Sequence, residues 1–162
     1  MTQLVPMTIK GLMLDPVSNS PIVVLKDDAE RFFLPIWVGI FEANAIALQL
    51  ENVSTPRPMT HDLLRNMISE LDARVTRVVI NDLRDSTFFA QIRVIVGERS
   101  LEFDARPSDA IALALRADAP IYVAQSVLDQ AQTISPDSED QDEQKKKQFE
   151  MLDADELGKW KM

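Results

Sequence analysis

Residues 87–117 read TFFAQIRVIVGERSLEFDARPSDAIALALRA, and this stretch decides the fold. Phe88, Ala90, Ile92, Val94 and Val96 alternate with Gln91 and Arg93, the two-residue period of a strand with one covered face. Leu101, Phe103 and Ala105 alternate in the same way with Glu102 and Asp104. Gly97-Glu98 between the two runs supplies a tight turn. The period then changes: Ser108 stands as an N-cap before an Ala/Ile/Leu run, which predicts a helix to about Ala117. Strands that give way to a helix within one short span point to an α+β domain with a mixed or antiparallel sheet.

Upstream, residues 75–82 predict a further strand, and residues 7–14, 22–25 and 31–38 predict three more. Ile22-Val23-Val24-Leu25 is continuous and branched, as expected where both faces are covered. Residues 15–21 are rich in turn formers and close a hairpin. Ala43, Ile46, Ala47 and Leu50 recur at helical spacing over residues 42–50. Past Pro56 and Pro58, Thr60 is placed as the N-cap of a second helix, with Leu63, Leu64, Met67, Ile68 and Leu71 along one face. Residues 120–124 give a last short strand. The word Ala45-Ile46-Ala47-Leu48-Gln49-Leu50 returns 65 residues later as Ala110-Ile111-Ala112-Leu113-Ala114-Leu115. Each copy follows three strand-like segments, so an internal duplication is expected, with the Thr60 helix inserted between the halves.

At 162 residues the chain fits one domain with an appendage. The expected division is residues 1–133 as the domain and 134–162 as a charged tail, in which Phe149, Leu152, Leu157 and Trp160 could dock on this chain or a neighbour. Net charge is −9. Nine acids and five lysines from Pro136 onward give −4, and seventeen acids with twelve basic residues before it give −5. An acidic domain weighs against phosphate contact through a basic patch. It is compatible with carboxylates that hold a cation against a phosphate. With no cysteine, thiolate zinc sites, disulfides and cysteine nucleophiles are excluded, and a reducing cytoplasm is the expected location. The N-terminal residues lack a signal-peptide pattern, and no apolar run approaches the ~18 residues of a membrane span. Glycine-rich phosphate loops, HExxH and GxSxG are absent, so no organic cofactor is expected. Trp37 belongs in the core or an interface on this pattern.

The polar residues that could carry chemistry gather in two similar words, Arg57-Pro58-Met59-Thr60-His61-Asp62 and Arg106-Pro107-Ser108-Asp109. A hydroxyl before a helix and an acid in its first turn are also what a stable helix start wants, so a purely structural role accounts for both words. Read functionally, a helix start beside an arginine binds anions, which assigns Arg57, Thr60, Arg106 and Ser108 to a phosphate. Glu42, Asp62, Asp104 and Asp109 would offer oxygen ligands to Mg²⁺ or Mn²⁺. His61 is the one histidine in the chain, and it suits water activation or protonation of a leaving oxygen.

Leu34-Pro35-Ile36-Trp37-Val38-Gly39, Glu42-Ala43, Arg57-Pro58, Thr60-His61-Asp62, Asp104 through Ala114, and Pro120-Ile121-Tyr122-Val123 together resemble the bifunctional nuclease family. The resemblance covers roughly residues 7–128. It implies a duplicated α+β fold, DNase and RNase activity, and a homo-oligomer. Two functions follow. In a nuclease, His61, Asp62, Asp109 and Glu42 form the catalytic group, with nucleic acid as substrate. Alternatively, a non-catalytic oligomeric module uses the same helix starts to bind an anion or a protein.

Overall fold

Turn chemistry sets the sheet. In the computed structural model, which describes residues 2–131, the chain runs β1 (Leu4–Leu14), β2 (Pro21–Asp27), β3 (Phe33–Trp37), α1 (Ile40–Leu50), α2 (Thr60–Glu70), β4 (Ala73–Arg84), β5 (Thr87–Val96), β6 (Arg99–Ala105), α3 (Pro107–Ala117), β7 (Ile121–Ala124) and α4 (Gln125–Gln130). Arg84 pairs with Thr87 across a two-residue loop in which Asp85 and Ser86 both have positive φ, 49° and 60°. Such a loop matches the twist of its strands. Gly97, at φ 58°, serves the next hairpin, where a side chain would be strained.

Two antiparallel meanders result, β1-β2-β3 and β4-β5-β6. They sit on either side of β7 in one seven-stranded sheet of order β3-β2-β1-β7-β4-β5-β6. β7 runs antiparallel to β1 and parallel to β4, so the sheet is mixed and the fold is α+β. The residues that alternate inward, including Val23, Leu25, Val78, Ile80, Ile92 and Val123, join Ala45, Ile46, Ile111 and Leu113 of α1 and α3 in one core. Ile22, Val24 and Met13 form a smaller cluster with Phe33. β2 is therefore covered on both faces, as its unbroken apolar run requires. Among the described residues no helix is long and apolar enough to cross a membrane.

The structure departs from the pattern in four places. α2 begins at Thr60, so Met59 rather than Thr60 is its N-cap. α3 begins at Pro107, because proline has no N–H to leave unpaired at a first helical position; Arg106 is its N-cap and Ser108 lies inside. α4 was not expected: Gln125–Gln130 is too short to show a period. Trp37 is 54% exposed and donates its indole N–H to Asp15, so it is not a core residue. The residues assigned to a tail, and the Thr133 boundary, lie outside the described residues.

Ser86→Gly should raise stability by about 0.5 kcal/mol, because it removes a side chain from a left-handed backbone position. Urea denaturation of the two proteins checks this.

Candidate functional site

Three helices bring their N-termini toward one another, and each has an acid as its third residue: Glu42 in α1, Asp62 in α2 and Asp109 in α3. An acid there faces unpaired N–H groups and the positive end of the helix dipole. Asp62 does what the position favours, since its Oδ2 accepts the Met59 N–H at 2.9 Å. Glu42 folds back over Gly39, where a β-carbon would collide with its carboxylate. A side chain at position 39 would displace the Glu42 carboxylate from this position.

Arg106 links two of the acids. Its Nη1 donates to Glu42 Oε1 at 2.8 Å and its Nε to Asp109 Oδ2 at 2.8 Å. The other Asp109 oxygen lies 2.9 Å from His61 Nε2. The run Glu42–Arg106–Asp109–His61 thus crosses from α1 through α3 to α2. Its members differ in access, with the Arg106 side chain 65% exposed and His61 8% exposed. Hydrogen bonds from Arg106 to Asp109 and then Glu42 hold its guanidinium above its ordinary value, so it stays charged.

A second arginine, Arg116, lies beneath. Its Nε donates to Asp62 Oδ1 at 2.7 Å, Nη1 to the Ala112 carbonyl at 2.8 Å and Nη2 to the Ala45 carbonyl at 2.9 Å. Burial pushes the Asp62 carboxyl up, but the Met59 N–H and Arg116 outweigh it, so the group sits below its ordinary value of 3.8.

The structure therefore gathers His61, Asp109, Glu42 and Arg106, with Asp62 one residue from His61 but committed to Arg116. Arg57 and Thr60 are exposed on the approach to α2, and Arg57 takes no part in these ion pairs. Ser108 is buried at 6% exposure. Asp104 stands opposite Gln91 on β6, in the alternation that points away from the helices, and is not part of the group. No three His, Asp or Glu side chains among the described residues are arranged to hold a metal ion. Arg116 went unnoticed in the sequence. Its signal was a lone cation two turns beyond Asp109, on the same helical face in an otherwise apolar word.

A family model described as the bifunctional nuclease domain matches residues 23–136. An uncharacterized protein of Mycobacterium tuberculosis is 41% identical over 132 residues, which is 82% of this chain and 79% of that one. Bifunctional nuclease 1 of Arabidopsis thaliana is 33% identical over 118 residues, 70% of this chain. Bifunctional nuclease 2 of Oryza sativa subsp. japonica is 31% identical over 122 residues, 73% of this chain. The matched region spans 36% and 38% of those two plant proteins, little more than a third of each.

Because the Asp62 carboxyl is depressed in the folded protein, the contribution of its pair is present above the ordinary value of 3.8 and is lost as pH falls through the folded value. Asp62→Asn leaves Arg116 buried without its counter-charge. It should cost on the order of 3 kcal/mol at neutral pH, and the gap to the parent should narrow progressively as pH falls below the ordinary carboxylate value. Urea melts across this pH range check both the size and the sign.

Proposed function

The chain belongs to the bifunctional nuclease domain family, and from that premise we propose that it hydrolyses phosphodiester bonds of DNA or RNA at the His61–Asp109–Arg106–Glu42 group. The observation that carries this is the His61–Asp109 contact, held from behind by Arg106. A carboxylate on one ring nitrogen fixes the tautomer and frees the other nitrogen to take a proton from water. With the proton on Nε2, that second atom is Nδ1. Arg106, exposed and held charged, is the group positioned to meet a phosphate oxygen and the negative charge that grows on it during attack. Arg57 is a second exposed cation near the start of α2.

Mg²⁺ or Mn²⁺, if used, would polarise the phosphate and lower the cost of its charge. The donor set does not fit such an ion as it stands: Arg106 occupies Glu42 and Asp109, and Arg116 occupies Asp62. A cation would have to displace a guanidinium.

A non-catalytic module that binds an anion or a protein is the second reading. It is favoured by the burial of His61 and by arginine partners for all three helix-start acids. We also infer that the protein is homo-oligomeric, which the apolar side chains exposed on α2 support. We further infer descent from a duplicated unit, which would account for the word shared at five of six positions and for the two meander-plus-helix halves. Cytoplasmic placement rests on the cysteine-free composition.

Purified protein should cleave single-stranded DNA or RNA, and His61→Gln and Asp109→Asn should each slow it by about 100-fold or more. Arg106→Ala should weaken cleavage most at low salt, and the gap to the parent should narrow in high salt, where the attraction Arg106 supplies is screened. Variants with parental melting temperatures that cleave at the parental rate would remove these residues from the chemistry. Absence of turnover by the parent, with and without Mg²⁺ or Mn²⁺, together with thermal stabilisation by phosphate that chelator does not change, would establish the binding module instead.

A further inference from the structure

We propose that the face of the sheet turned away from the helices carries a second binding site, where Arg77 and Arg93 hold the phosphates of a single-stranded nucleic acid and Tyr122 stacks on one of its bases. The ligand class rests on the nuclease reading. The surface is a different one from the His61–Asp109–Arg106–Glu42 group.

Strand alternation places these side chains. Val78, Ile80, Ile92 and Val123 point into the core that α1 and α3 share, so their neighbours along β4, β5 and β7 point to the opposite face. There the register sets Arg77 directly across from Arg93. Val79, next in the same direction along β4, has Gln91 on one side and Tyr122 on the other.

Like charges directly opposed on one sheet face are destabilising. One acid faces the pair: Glu102, across from Arg93 on β6. Its carboxylate accepts from both Nε, at 3.1 Å, and Nη2 of Arg93, and so is committed to that arginine. Arg77 is left without a hydrogen-bond or ion-pair partner among the described residues. Its Nε is enclosed, while its two terminal nitrogens, also unbonded, keep contact with solvent. At the β4 bulge, Asn81 Oδ1 is a second enclosed polar atom with no partner. Orphaned polar atoms are few in a native fold, and nothing within the described chain accounts for these.

An anion seated on the two guanidinium groups would cancel the repulsion, which water alone would not. Phosphate suits them, because it accepts from a guanidinium fork. The neighbours narrow the class further. Tyr122 is half-buried and Gln91 beside it offers an amide, a ring and a hydrogen-bonding group for an unpaired base. The Phe89 ring is already covered by Arg84 at 4.0 Å, so Tyr122 is the ring at this place left for stacking. Glu102 and Asp104 bound the site on the β6 side.

The full-length protein, titrated in chelator into a labelled oligothymidylate of about ten residues and followed by anisotropy, tests this. The parent should bind saturably and leave the strand intact. Arg77→Met and Arg93→Met should each weaken binding about 5-fold or more, and each should lower the slope of log affinity against log salt by about 0.7. Tyr122→Leu should weaken binding by about 5-fold with the slope unchanged. Glu102→Gln, which frees Arg93, should tighten it. Without the strand, Arg77→Met should melt no lower than the parent, because a repulsion has been removed. Parental affinity and slope in both arginine variants, or a parent that does not bind the strand, would overturn the sheet-face site. The nuclease reading would then still stand on cleavage lost in His61→Gln and Asp109→Asn. Binding that depends on Arg77 and Arg93 in a protein that never cleaves would uphold the site and remove the nuclease reading.

Discussion

One buried guanidinium holds the helical layer together. Arg116, at the end of α3, reaches a carboxylate of α2, a carbonyl of α1 and a carbonyl of its own helix, so three helices are fixed by one planar group. Arginine suits this, because its donors point in set directions and lysine could not reproduce them. A charge buried in this way is tolerable only with its partners in place, which makes the relative positions of the helix starts steep in energy rather than soft. The upper group depends on that rigidity. Glu42 and His61 lie on different helices, and each meets α3 residues only because α1 and α2 are pinned to the same end of α3.

The same geometry softens the conflict between an acidic domain and the anionic substrate proposed for it. Each of the three acids lies in a first helical turn, where the backbone supplies positive potential, and each meets an arginine. The group is therefore much less negative than the net charge of −9 suggests. Net charge describes the field far from the protein, and the partners of individual carboxylates describe it within a few ångströms. A basic stripe is not the only way to meet phosphate.

The sheet was largely legible because alternation and turn residues act locally. The bounds of β5 and β6 agree with their runs of alternating residues, and the short apolar run of β2 announced its double cover. Helix starts were misplaced by one or two residues, since Thr60 and Ser108 look like caps whether or not the chain uses them. The two similar words did mark residues that meet: His61 of one contacts Asp109 of the other. Their commitments were not legible, because Arg106–Glu42 and Arg116–Asp62 join residues 64 and 54 positions apart. Asp104 shows the limit from the other side. It sits two residues from Arg106, but strand alternation directs it away. The stripe of α2 was legible, but its direction was not: Leu63, Leu64 and Met67 are exposed. Periodicity reveals that a helix has an apolar face, and nothing in it says that the face looks inward.

β7 adds a consequence for the order of folding. This four-residue strand is the one bridge in the sheet between the two meanders, and it is the last strand of the described chain to leave the ribosome. β1, made first, waits with an unpaired edge through more than a hundred residues of synthesis until Ile121–Ala124 arrives. Each meander can form early from local contacts, whereas the joining step has a long loop to close and sets the pace. During that interval the exposed edge of β1 is open to pairing with another chain, so crowded synthesis is where this fold is most vulnerable.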